Sequence, residues 1–223
     1  MKYLKPSVFA GFAAAMIAGL SGPAYAQVNE AEVVKGYGEL VYHNYSDTHQ
    51  AARAMQQAID QFLAKPTQAG LEQARAAWLH AREFYGQTEA FRFYGGPVDD
   101  ENGPEGRMNA WPMDESYVDY VQGKKSRGLI NNPKFLITRA NLIDQNERGG
   151  EENVATGWHA IEFLLWGQDT SATGAGDRPY TDYVEGKAPN AERRAKYLRE
   201  VTALLVDDLK SLKAAWAPDS PVN

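Results

Sequence analysis

Apolar residues recur along this chain at three- and four-residue intervals, and they nowhere alternate with polar residues over a useful strand length. Residues 29–64 carry Val34, Tyr37, Val41, Thr48, Ala52, Met55, Ile59 and Phe62 on one helical stripe. Pro66 stops that helix. Thr67 then has the side chain of an N-cap for a second helix through Leu71, Ala74, Trp78 and Ala81, continuing to about Phe93 despite Gly86. Gly95-Gly96-Pro97 opens a loop that lasts to Pro112. Asp114 caps a short helix through Tyr120, and Pro133 starts another that runs to about Asn146. Gly149-Gly150 separates it from a helix over 151–166, whose acidic start at Glu151 and Glu152 complements the helix dipole. After a loop rich in Gly, Thr and Asp to Asn190, a final helix sets Leu198, Val201, Leu205, Leu209, Leu212 and Trp216 along one seam. The class predicted is all-α, a helical bundle.

The 151–166 helix contains the chain's most informative segment, Gly157-Trp158-His159-Ala160-Ile161-Glu162-Phe163-Leu164-Leu165-Trp166-Gly167. Residues three apart on a helix share a face, with Cβ atoms ~5–6 Å apart, so His159 and Glu162 can reach one metal ion. Imidazole nitrogen with carboxylate oxygen suits zinc and non-haem iron or manganese. Helix bundles build metal sites from a Glu and a His at this separation in the opposite order. The plain alternative is a hydrogen-bonded pair on a core helix. Two ligands do not complete a site, because zinc takes at least three from the protein. The others must come from other helices.

The first 26 residues read as a targeting segment rather than as part of the fold. Lys2 and Lys5 make a positive start, Val8 to Leu20 is almost wholly apolar and small, and Ala24-Tyr25-Ala26 fits a secretory cleavage site. Cleavage before Gln27 removes two lysines and no acid, making the formal charge of −6 more negative by two. That balance argues against nucleic acid, which is held by clustered Lys and Arg. No later segment is long and apolar enough to span a bilayer. Cysteine is absent, so neither a disulfide framework nor a lipidated cysteine is available. The expected location is secreted, periplasmic or in the cell envelope.

The motif Gly157-x-His159-x-x-Glu162 resembles the signature of the imelysin family, and further segments match in family order: Trp78 with Ala81-Arg82, Gln87-Thr88-Glu89-Ala90-Phe91-Arg92-Phe93, Gly96-Pro97-Val98-Asp99, Asn109-Ala110-Trp111-Pro112, and Gly167-Gln168-Asp169 through Arg178-Pro179-Tyr180-Thr181-Asp182-Tyr183. The resemblance covers nearly all of the chain after the signal and is strongest to members described as iron-regulated. It implies a secreted or envelope-bound protein of two related helical bundles, a metal site between them, a part in bacterial iron uptake and, for some members, classification as metallopeptidases. On this basis the metal ligands are His159, Glu162 and Glu89. Arg92 either orients Glu89 or holds an anionic ligand, and Gly157 supports the site. For Glu89 and Arg92 a simple i,i+3 ion pair stays an open alternative.

The expected cofactor is a metal ion, iron first and zinc second. The function implied is metal binding in iron uptake. Its rivals are a metallopeptidase and a non-catalytic helical interaction module. The peptidase reading lacks the two histidines of the His-Glu-x-x-His type, and a ligating Glu162 is not free to act as base. The sequence stops after what resembles the first bundle, so the expectation is either that it is a fragment or that a partner completes the site in place of the second bundle. An apolar face around Trp158 and Trp166 should then be left for a second bundle or an envelope protein.

Other candidates are weaker. His80 and Glu83 repeat the spacing on a polar helix without the preceding glycine, and His43 and His49 do not share a face. Asp99, Asp100, Glu101 and Glu105 make an acidic loop without EF-hand spacing. Gly174-Ala175-Gly176 lacks the context of a phosphate loop. Trp111, Trp158, Trp166 and Trp216 read as core or interface residues.

Overall fold

The computed structural model describes residues 29–220, so the predicted signal segment and its cleavage site lie outside the described residues. Seven α-helices follow in order: α1 (Glu30–Ala64), α2 (Gln68–Gln87), α3 (Glu105–Asn109), α4 (Glu115–Val118), α5 (Arg139–Gln145), α6 (Gly157–Trp166) and α7 (Ala191–Ala215). Short 3-10 turns occupy Thr88–Phe91 and Tyr180–Tyr183. Among the described residues there is no strand, as the periodicity requires.

Four helices make the bundle. α1 packs on α2 and α7, and α6 closes the ring by packing on both α2 and α7. The tight α1–α2 connection is written in Pro66 and Thr67. Pro66 interrupts helical backbone, and the Thr67 side chain accepts from the Gly70 amide at 3.1 Å, satisfying one of the free N–H groups of the new helix. Asp114 caps α4 in the same way through Ser116.

The predicted stripes face inward. Val41, Thr48, Ala52, Met55, Ile59 and Phe62 of α1 are buried, as are Leu198, Val201, Leu205, Leu209 and Leu212 of α7. Val34 and Tyr37 are exposed instead. The reason is length: at 35 residues α1 is about 50 Å long, against about 30 Å for the 20 residues of α2, so its first turns run past their partners.

Three boundaries differ from the predicted ones. α2 ends at Gln87 and the chain tightens into a 3-10 turn, so Glu89 and Arg92 are not on a continuous α-helix. Pro133 does not open a helix; α5 starts at Arg139, where Thr138 accepts from the Asn141 amide and supplies a better start than a proline five residues upstream. α6 begins at Gly157 rather than 151. Residues 147–153 turn back on themselves through the bonds Glu147 N–H to Asn153 O and Asn153 N–H to Gly150 O, which are incompatible with a helical ladder.

Candidate metal centre

α6 is apolar nearly all round, and it is held from every side. Gly157, Trp158, Ala160, Ile161, Phe163, Leu164 and Leu165 are buried, leaving His159, Glu162 and Trp166 partly exposed on one face. Each fully buried aliphatic or aromatic side chain stabilises the fold by about 1.5–3 kcal/mol, which fixes the helix and makes its one open face a rigid platform.

Both ends of α6 are pinned by distant residues. At the start, the Thr156 hydroxyl donates to the Arg107 carbonyl at 2.7 Å, and the Asn146 side-chain oxygen accepts from the Ala155 and Thr156 amides at 2.9 and 3.2 Å. Gly157 has φ +82°, and a Cβ there would stand 2.3 Å from the Met108 carbonyl oxygen. The glycine of the motif therefore serves close packing of α6 on α3, and it does not line the cleft. At the other end, Arg75 of α2 donates to the Leu165 and Arg178 carbonyls at 3.1 and 3.0 Å, satisfying an oxygen that the helix end leaves free. Trp78 donates its indole N–H to the Trp158 carbonyl at 3.2 Å.

His159 and Glu162 do meet. Nδ1 of His159 lies 3.0 Å from Oε2 of Glu162, the imidazole being 17% and the carboxylate 43% exposed. The ring also packs on Trp111, centroid to centroid at 4.6 Å. With Nδ1 facing a carboxylate, the tautomer favoured leaves Nε2 with its lone pair, and Nε2 makes no hydrogen bond within the described chain. This is the arrangement by which a carboxylate orients a ligating histidine.

The pair lines a cleft of about 390 Å³ together with Trp78, Leu79, Trp111, Glu115 and Asp169. Three carboxylates and one imidazole thus share an opening. Glu115 feels it: burial pushes its carboxyl up, Arg178 opposes, and the charges of Asp169, Asp114 and Glu162 push it further up. A bound cation would relieve that repulsion. Donor type and charge therefore fit a metal ion, although among the described residues no three His, Asp or Glu side chains converge as a ready-made ligand set.

Glu89 and Arg92 lie elsewhere. The Glu89 carboxylate takes bonds from Arg92 at 2.8 Å and Asn109 at 3.2 Å, and Arg92 reaches across to Glu105 at 2.8 Å. Glu89 does not line the His159 cleft, so the structure does not bring it to the pair as a third ligand. Arg92 pairs with it, and burial of that guanidinium is outweighed by the charges of Glu105 and Glu89, which hold its pKa up. Between the two groups stands Arg82, stacked over Tyr85 and Trp158 and under the influence of both Glu89 and Glu162. His80 and Glu83 are exposed and form no ion pair with each other, as their polar surroundings suggested.

Glu115 and Asp169 were not predicted as site residues. Neither belongs to a short-range motif with His159: one follows the cap of α4 and the other stands in the loop after α6. Only the folded chain brings them together. The tryptophans also redistribute. Trp158 is fully buried and Trp166 partly so, whereas Trp111 and Leu79, at 68% and 55% exposure, are the open apolar residues beside the cleft. The expected apolar face is thus formed by different residues, because Trp158 is packed under Trp78 and Tyr85.

Comparison with known proteins agrees with the motif. The chain is 33% identical over 136 residues to "Iron-regulated protein A" of Synechococcus elongatus, a match covering 60% of this chain and 31% of that protein. The crystal structure of an iron-regulated protein A precursor from Parabacteroides distasonis superposes with a TM-score of 0.62 at 20% identity, covering 87% of this chain and 47% of that one. The chain thus matches less than half the length of either relative, and the second likeness speaks for the fold. The family model of imelysin matches residues 41–222, which takes in α2, α6, α7, the greater part of α1 and the Gly157-x-His159-x-x-Glu162 motif. This chain belongs to the imelysin family.

Proposed function

We propose that the chain is an extracytoplasmic metal-binding protein of iron acquisition, with the ion held at the His159 cleft. The observation that carries this reading is the gathering of His159, Glu162, Glu115 and Asp169 around one opening on the rigid face of α6. The naming of a 33% identical relative as iron-regulated supports the choice of iron. Zinc suits the same donors. His159 would supply Nε2, Glu162 would hold the imidazole or join it as ligand, and Glu115 and Asp169 would complete the charge. Remaining ligands would come from turning of these two acidic side chains or from groups outside the described residues.

When bound, a divalent cation supplies positive charge that offsets the three carboxylates. The chain's own residues do the rest. Trp111 packs at a tilt against the imidazole and Leu79 adds an apolar wall to the cleft. Exposed Trp111 and Leu79 also suit docking by a second bundle or an envelope protein. Secretion is supported by the signal-like first 26 residues, and among the described residues no helix is long and apolar enough to cross a membrane.

A peptidase reading has one observation in its favour, the raised pKa of Glu115 in a cleft, since a carboxyl shifted in this direction holds its proton more readily and is a candidate for proton transfer. Calorimetric titration of the protein with ferrous iron under anaerobic conditions, and with zinc, tests the proposal. One ion bound per chain, lost in His159→Ala, is expected. No binding of either ion would favour the interaction-module reading, and chelator-sensitive cleavage of a peptide library would favour the peptidase.

A further inference from the structure

A second cavity among the described residues is larger than the His159 cleft. It measures about 690 Å³, within the range of small-molecule sites. It shares Trp166 and Gly167 with the cleft and takes other residues of the same loop, Gln168 where the cleft takes Asp169 and Asp177 where the cleft takes Gly176.

Its floor is a buried ionic network. Asp119, with no exposed side-chain surface, accepts from Arg194 at 2.7 and 3.2 Å, from Arg178 at 2.8 Å and from Asn131 at 3.1 Å. Arg178 also reaches Asp182 at 2.9 Å, and the Tyr120 hydroxyl donates to the same oxygen at 2.6 Å. Burial opposes the charge on Asp119, but the bonds from Arg194 and the charges of Arg178 and Arg194 outweigh it, so its pKa lies below the ordinary aspartate range. Two arginines against two aspartates leave the floor neutral.

Two features are left over. The Nε of Arg178, on a side chain that is 1% exposed, has no hydrogen-bond partner, and a buried unmatched N–H is unfavourable unless something else fills its place. Gly167, with φ +72°, packs against the same side chain: a Cβ there would stand 3.1 Å from the Arg178 Cβ and 3.5 Å from that nitrogen. At the mouth, Lys125 and Lys187 are exposed and form no ion pair within the described chain. Asp177, the remaining acid of the lining, faces Arg75 at 3.6 Å. A cavity with surplus positive charge is unexpected in a protein of net charge −6.

We infer that this cavity binds a small organic polycarboxylate. The lysines attract and hold its carboxylates at the mouth, and Arg178 and Arg194 line its interior. Tyr120, Val121, Trp166 and Pro179 give its carbon skeleton an apolar wall that inorganic phosphate would not use. The site is separate from the proposed metal centre and stands whether or not His159 binds a metal.

Calorimetry of the protein in metal-free, low-salt buffer with citrate, succinate and inorganic phosphate decides it. One citrate or succinate per chain is expected, with phosphate weaker. Lys125→Ala/Lys187→Ala, both exposed positions, should keep the thermal unfolding of the parent and weaken the organic acids by about tenfold or more, as loss of two charge-assisted contacts predicts. His159→Ala should leave citrate affinity unchanged while removing metal binding, so the two sites fail independently. Absence of binding by either organic acid at millimolar concentration, phosphate binding as well as citrate, or an unaffected lysine double variant would each overturn the assignment.

Discussion

Asp119→Asn removes one negative charge from a place with no solvent and leaves Arg178 and Arg194 to share Asp182 alone. Asp119 accepts four hydrogen bonds, three of them from guanidinium groups. Breaking a buried ion pair on one side costs about 3–5 kcal/mol, because the partner stays buried and uncompensated. Asp182 still holds Arg178, so the lower end, about 3 kcal/mol, is expected. Against a total stability of about 5–15 kcal/mol that is a large loss. Urea unfolding followed by helical circular dichroism should show the midpoint falling by about 1 M or more with an unchanged slope. The exposed pair Arg148–Asp144, at 61% and 65% exposure, is the control: Asp144→Ala should change stability by less than about 1 kcal/mol. The pH dependence carries a second check. Because the folded pKa of Asp119 is depressed, its stabilisation is complete above the ordinary aspartate range and is lost as pH falls through the depressed value. The gap between wild type and Asp119→Asn should therefore close on acidification. A midpoint shift no larger than the Asp144 control, or a gap that is independent of pH, would refute the reasoning.

Other outcomes follow from the same geometry. His159→Ala should weaken metal binding by about tenfold or more, the cost typical of losing a ligand or its orienting partner, whereas His80→Ala should leave it unchanged; equal losses would mean the wrong motif was chosen. Metal affinity should also fall on acidification, since imidazole must be unprotonated to ligate. Glu115 has a raised folded pKa, so its burial is favourable when protonated and becomes unfavourable as pH rises through that value. Glu115→Gln should therefore raise the melting temperature at neutral pH and not in acid, while weakening cation binding. Gly157→Ala, which sets a Cβ 2.3 Å from the Met108 carbonyl oxygen on a left-handed backbone, should cost about 2–4 kcal/mol in chemical unfolding. Mass spectrometry of exported protein should find Gln27 at the N-terminus.

By itself the sequence determined the helices of the bundle and the pair at its heart. Periodicity named the inward stripes of α1, α2 and α7, because a helix that must bury one face repeats that face every three or four residues. Pro66, Thr67 and Asp114 announced their boundaries through local chemistry that needs no tertiary partner. His159 and Glu162 were legible for the same reason: their meeting is a property of one helix turn. Tertiary structure decided everything that depends on distant segments. Glu115 reaches His159 only because the connection between α2 and α6 folds back over the bundle, and Asp169 only because the loop after α6 turns back along the helix it leaves. Glu89 goes to Arg92 and Asn109, with Arg92 bridging on to Glu105, because the chain tightens after Gln87. The Asp119–Arg178–Arg194–Asp182 network joins, apart from the local pair Arg178–Asp182, segments far apart in sequence. Gly157 had to be glycine because of Met108, a contact made across 49 residues that no local pattern encodes.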